Sequence, residues 1–284
     1  MNWVWQIRKS VGGYIISTEV AFDVISSQIH KITMLPTPST SHVNYDRVYE
    51  PREDSFLLLD TLSSGSETSF LRHRFAKSPS PLVVEIGPGS GVVLAFVTNH
   101  TENIFGRRDV LTVGVDINAF ACQATIATVR GVVAEQGDFL KTHGIFLDAA
   151  NGDLTTCLRQ KAVDVLAFNP PYMPSEVLPD PEKCAAYNDT SKETSFDEEE
   201  DLLRLSYAGG RDGMEVTNKL LGQLDDVLSE RGVAYILLEH RNKPVEVVRS
   251  LMEWGPEWAV DVVGWSGKST QKERLCIIRI SRVI

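Results

Sequence analysis

Asn169-Pro170-Pro171-Tyr172 is the tetrapeptide whose residue types point most directly to a reaction. Two consecutive prolines end a strand, forbid a helix and stiffen the backbone. The Asn169 side-chain oxygen and the Pro170 carbonyl can therefore face one small volume. Two acceptors side by side suit a planar amino group, as found in an amide or an aminopurine. Such a nitrogen is a poor nucleophile because its lone pair is delocalised. Holding its hydrogens out of plane, with Tyr172 against the conjugated face, would localise that pair and aim it at an electrophilic methyl carbon. That chemistry needs neither a metal nor an acid–base pair. A plain turn is the alternative reading of the same four residues.

Two further groups describe a ligand. Glu85-Ile-Gly-Pro-Gly-Ser-Gly91 sets Gly87, Gly89 and Gly91 at a strand-to-helix turn, where backbone can approach a ligand and free helix N–H groups can meet it. The spacing is not that of a dinucleotide fingerprint, since position 92 is Val. An acid two residues before the first glycine is ill suited to a pyrophosphate and well suited to an ammonium group. Asp116, ending the next apolar run, can accept from both hydroxyls of a ribose or cap a helix. In Gly152-Asp153-Leu154, Asp153 can accept from an adenine amino group while Leu154 offers its backbone N–H; a turn is the simpler role. Together they outline an adenosine with an amino-acid tail.

The elements that must position these residues read as α/β. Apolar runs at 82–86, 111–115, 146–147, 163–168 and 233–238 predict parallel strands, with helices over about 92–97, 118–133 and 216–228 between them. Runs at 259–263 and 275–280 are closely linked and predict an antiparallel pair. The expected architecture is a Rossmann-like, seven-stranded, mostly parallel sheet with helices on both faces and a C-terminal antiparallel strand pair. Ligands on such sheets sit at the carboxyl ends of the strands, where all three groups lie.

The chain has 284 residues, 43% of them hydrophobic, and a net charge of −10. That charge is a poor basis for neutralising phosphates and favours a protein or small-molecule partner over nucleic acid. Four cysteines without a C-x-x-C pair and six scattered histidines predict reduced thiols inside a cell and no intrinsic metal site. No uninterrupted apolar run reaches about 18 residues, so no membrane span is expected. Residues 1–33 read as a weakly ordered N-terminal extension ahead of a domain spanning 34–284. An acidic insertion at about 176–206, with ten acids and two lysines between Glu176 and Asp201, reads as a solvated, mobile loop.

The order of these motifs is similar to that of class I S-adenosylmethionine-dependent methyltransferases of the HemK type. Val48-Tyr-Glu-Pro-Arg-Glu-Asp-Ser-Phe56 and Ala208-Gly-Gly-Arg-Asp-Gly213 resemble its eukaryotic and archaeal branch, which modifies the glutamine of the Gly-Gly-Gln loop in class-1 translation release factors. The resemblance runs from about Leu35 to the C-terminus. It implies that Glu85, Gly87, Gly89, Gly91, Asp116, Asp153 and Leu154 contact S-adenosylmethionine, that Ser55 binds its carboxylate, and that Asn169 lies against both cofactor and target amide. Asn169, Pro170 and Tyr172 would be catalytic, with Tyr49, Pro51, Pro171 and Tyr172 lining the substrate side. The early acids support Ser55 on physical grounds, because Glu53 and Asp54 look like the first turn of a helix, whose N-terminus attracts a carboxylate.

The resemblance also implies a heterodimer with a small zinc-binding activator subunit, placed here against 131–147; the expected location is cytoplasmic, with the nucleus left open as a second. Gly209-Gly210-Arg211 would shape the substrate mouth, or form a glycine turn with Asp212 capping the next helix. Three other functions remain open: methylation of an adenine amino group in DNA or RNA, methylation of a protein lysine, and a non-catalytic cofactor-binding subunit. Against the last stand Asn169 and Tyr172, which a scaffold does not require. The lysine reading needs a base to deprotonate the ammonium.

Overall fold

Seven strands form one sheet, in the order β3-β2-β1-β4-β5-β7-β6. They are β1 (Leu82–Ile86), β2 (Leu111–Asp116), β3 (Ile145–Asn151), β4 (Val163–Phe168), β5 (Leu228–Glu239), β6 (Trp258–Trp265) and β7 (Leu275–Arg282). The computed structural model describes residues 35–77, 79–135, 143–266 and 274–284, so the expected extension at 1–33 lies outside the described residues. Strands β1 to β5 pair in parallel, and β7 runs antiparallel to both β5 and β6. The sheet is thus the mixed one expected. Among the described residues no helix is long and apolar enough to cross a membrane.

Because helices cover both faces, central strands are apolar without alternation. Every residue of β4 is buried, and Val84, Leu166, Ile236 and Ile278 meet in one core cluster. Register decides what this core presents at its edge. Glu85 sits beside Gly114 and Ala167, and Ile86 beside Phe168, so the glycine turn and Asn169 emerge side by side. Asp116 ends the neighbouring strand.

Some boundaries differ from the apolar pattern, each for a local reason. β5 starts at Leu228, five residues before its apolar run, because Ser229 and Arg231 donate to buried Asp164 at 2.7 and 2.9 Å and hold the polar start against β4. The helix expected over 216–228 is split into Glu215–Leu221 and Leu224–Val227 around Gly222-Gln223, glycine being a weak helix former. β3 extends to Asn151, and its neighbour α5, the fifth α-helix among the described residues (Ala119–Glu135), is capped by Asn118, whose side-chain oxygen accepts from Phe120 N at 2.9 Å.

The acidic insertion is the largest difference from expectation. It folds into helices at Pro181–Ala185 and Phe196–Tyr207, the second opened by a capping box between Ser195 and Glu198. Leu202 is 1% exposed and packs with Val43, Val48, Phe120 and Ala121. Asn188 accepts from Ala119 N at 2.8 Å and donates to Ile117 O at 3.0 Å. An apolar stripe therefore anchors the acidic face. Leu202→Ala is expected to lower unfolding free energy by about 2–4 kcal/mol, against less than about 0.5 kcal/mol for exposed Glu200→Ala. Urea unfolding of both variants checks this, and equal effects would contradict the packing.

Candidate active site

At the carboxyl edge of the sheet the turn after β1 bends through three left-handed glycines, Gly87, Gly89 and Gly91, with φ of 61°, 54° and 79°. The last also answers a packing demand, since a Cβ on Gly91 would stand 2.6 Å from Thr125 Cα of α5. Gly91 caps the helix Val92–Asn99. Asp116 braces the same turn: its Oδ2 accepts from Gly89 N at 3.1 Å and its Oδ1 from Asn118 N at 2.9 Å. Each oxygen keeps a further lone pair for a ligand hydroxyl. Burial pushes the Asp116 carboxyl up to about 6.

Glu85, 3% exposed, leaves Oε2 without a hydrogen-bond partner. Burial, helped by the charge of Asp116, pushes its carboxyl up to about 8. Asn169 Oδ1 is the second buried oxygen here without a partner. Both residues line one cleft of about 230 Å³. A smaller cavity of about 10 Å³ behind Glu85 has room for no more than a water.

Eleven of the residues expected from sequence line this cleft: Tyr49, Pro51, Ser55, Glu85, Gly87, Gly89, Asp116, Asp153, Leu154, Asn169 and Pro171. Leu154 is held left-handed, with φ 51°, a strained conformation for a non-glycine residue. Ser55 sits in the first turn of the helix Glu53–Ser63. Gly91, Pro170 and Tyr172 stand behind the lining. The Tyr172 hydroxyl donates to Asp54 Oδ2 at 3.3 Å, and Asp54 Oδ1 accepts from Ser55 N at 2.7 Å. Asp54, 3% exposed, thereby links the Asn-Pro-Pro-Tyr corner to the helix that carries Ser55.

The glycine turn 209–213 backs the corner rather than capping a helix through Asp212. Met173 N donates to Tyr207 O at 2.9 Å, Gly209 N to Met173 O at 2.8 Å, and Ser175 N to Gly210 O at 3.0 Å. A Cβ on Gly213 would collide with the Tyr172 carbonyl, and its φ is 68°. Only glycine lets the two backbones approach this closely. The helix that follows, Glu215–Leu221, has no side-chain cap.

Sequence reasoning missed the walls. Arg47 lines the cleft, lies over the Phe120 ring at 4.9 Å and pairs with Glu199 at 3.2 Å, while its carbonyl accepts from Asn118 Nδ2 at 2.8 Å. Leu178, Leu202 and Leu205 line the cleft as well. The spacing of Leu202 and Leu205, one helical turn apart, was a usable signal within the acidic run. Among the described residues, no group of three His, Cys, Asp or Glu is placed to hold a metal ion.

A mixed sheet with a glycine turn after β1, an acid after β2 and Asn-Pro-Pro-Tyr after β4 defines a class I methyltransferase. No family model matches the chain. It is 32% identical over 253 residues to the eRF1 methyltransferase catalytic subunit mtq2 of Schizosaccharomyces pombe, an alignment covering 88% of this chain and 97% of that protein. To the methyltransferase HEMK2 of Mus musculus it is 29% identical, covering 87% and 97%. A protein of Methanocaldococcus jannaschii, provisionally named a protein N5-glutamine methyltransferase, is 28% identical over 74% of this chain and 82% of its own. The chain belongs to the HemK-type family of S-adenosylmethionine-dependent methyltransferases.

The orphaned Glu85 oxygen is suited to that cofactor, which brings an ammonium group that Glu85 could meet as a carboxylate. If Glu85 takes that ammonium, binding below pH 8 would displace a proton from it, so affinity would rise with pH. Calorimetry with S-adenosylhomocysteine should show Kd tightening between about pH 6 and 8, by at most about tenfold per unit, and Glu85→Gln should flatten the slope. Kd independent of pH in the wild type would contradict the assignment. For the free protein, a carboxyl raised from 4.5 to about 8 contributes stability that is lost as pH rises through that window.

Proposed function

We propose that the chain methylates the side-chain amide nitrogen of the glutamine in the Gly-Gly-Gln loop of a class-1 release factor, in the cytoplasm. The observation that carries this reading is the buried, partnerless Oδ1 of Asn169 in the cleft that also holds Glu85 and Asp116. S-adenosylmethionine, when bound, supplies an electrophilic methyl group. The chain's own residues do the rest. Glu85 would take the ammonium, Asp116 the ribose hydroxyls, Asp153 and the Leu154 N–H the base, and Ser55 the carboxylate at its helix N-terminus.

Asn169 Oδ1 would accept from the amide –NH2 and hold its hydrogens while the nitrogen lone pair is turned toward the methyl carbon. Pro170 and Pro171, both buried, stiffen the backbone on which that oxygen sits. Tyr172, pinned by Asp54, fixes the far side of the corner. Tyr49 and Pro51, which share the cleft wall with Arg47, would guide the loop bearing the glutamine.

A small zinc-binding activator subunit would complete the enzyme, its zinc belonging to the partner. Support for a partner comes from β3, which among the described residues pairs only with β2 and exposes Ile145 and Leu147 at 51% and 52%. An apolar free edge of this kind invites a covering chain. Part of the segment expected to meet it, 136–142, lies outside the described residues.

An adenine amino group presents the same two hydrogens, and one experiment separates it from the amide. The purified chain, with and without the activator, is incubated with methyl-labelled cofactor and either release factor, release factor with the loop glutamine replaced by alanine, or DNA. Label is expected on the intact release factor alone; label on DNA would sink the proposal. Asn169→Ala is expected to lower kcat by at least about a hundredfold with Kd for the cofactor within about threefold of wild type. Equal loss of both would reject the role given to Asn169.

A further inference from the structure

The turn that follows β5 reaches the Asn-Pro-Pro-Tyr corner through one side chain. Asn242 is 2% exposed. Its amide nitrogen donates to Tyr172 O at 3.0 Å and Asp212 O at 2.9 Å, with Gly213 O at 3.4 Å. Its amide oxygen accepts from Glu239 N at 2.8 Å. Glu239 is itself wholly buried, its carboxylate held by Arg241 N at 3.0 Å, Arg241 Nε at 2.7 Å and the ring of His240. Across β5 and β7 it pairs with Leu275. One amide group thus ties the end of a central strand to both backbones of the corner, 171–175 and 209–213.

No other side chain of this size does the same. The site needs a donor and an acceptor from one short planar group; aspartate offers only acceptors at neutral pH, and leucine or alanine neither. A buried carbonyl stripped of its donor is free to shift toward another partner. Asn242 does not line the cleft, so it acts through the backbone that carries Asn169 and not on a ligand directly.

We infer that Asn242 is a positioning residue for methyl transfer, clamping the corner so that Asn169 Oδ1 is held where the acceptor nitrogen must sit. This rests on the assignment of Asn169 to the acceptor amide. Displacing a reacting group by about 1 Å can cost on the order of a hundredfold in rate.

The test uses the full chain with its activator as wild type, Asn242→Ala and Asn242→Asp. In both variants kcat for release-factor methylation is expected to fall at least about tenfold, while Kd for S-adenosylhomocysteine stays within about threefold. The amides of Met173, Ser175 and Gly209 should exchange faster with deuterium. Asn242→Asp keeps the shape, which guards against a variant that merely fails to fold. It turns a carboxylate toward carbonyl oxygens, so its activity relative to wild type should recover as pH falls from about 8 to 6 and the protonated acid can donate.

A kcat within about twofold of wild type, or a Kd that weakens in step with kcat, overturns the inference. So does an Asn242→Asp defect that is unchanged across that pH range. Deuterium exchange needs no acceptor. If the wild type labels no release factor, the assignment of Asn169 falls by itself, and unchanged exchange in the variants then overturns the clamp separately.

Discussion

Two oxygens buried without donors, Glu85 Oε2 and Asn169 Oδ1, are the constraint around which the molecule is arranged. Leaving a buried acceptor unpaired costs about 1–3 kcal/mol, a large share of the roughly 5–15 kcal/mol by which domains are stable. A fold keeps such atoms where something else supplies the hydrogens. Here both residues line one cleft at the carboxyl edge of the parallel strands, and burial disfavours the charged form of Glu85. A cofactor with an ammonium group would favour the charged form of Glu85.

Keeping those oxygens in place takes much of the chain. The parallel register of β1 and β4 sets Glu85 and Asn169 on adjacent strands. Gly89 is gripped by Asp116 from one side and by Thr125 Oγ1 at 3.2 Å from the other. The segment that precedes the helix Glu53–Ser63 is fastened by Asn118 at Arg47, and the acidic helices are fastened to α5 by Asn188. Leu202 packs inward from the acidic helix, while Glu193, Asp197 and Glu200 are exposed.

What could be read from the sequence was whatever a residue type imposes on its own backbone. Gly87, Gly89, Pro170 and Pro171 declare their conformations, and the apolar runs of β1 and β4 declare burial, so the mixed sheet and the heart of the cleft were legible, though not the order of its strands. Roles that arise only when distant segments meet were not. Asp54 looked like an acid at a helix start until Tyr172 was found against it, and Arg47, which stands in no motif, gains its place only where Phe120 and Glu199 meet it. Asn242 lies in a stretch with no motif, and only its three carbonyl partners reveal it. Charge misled in the opposite direction at Leu202, where a run of acids concealed an amphipathic helix.

The most direct measurement is a crystal structure of the chain with its activator, S-adenosylhomocysteine and a peptide containing the Gly-Gly-Gln loop. The account predicts the glutamine –NH2 within hydrogen-bond reach of Asn169 Oδ1 and the cofactor ammonium against Glu85. A glutamine bound elsewhere, with Asn169 Oδ1 satisfied by water or by another protein donor, would contradict it.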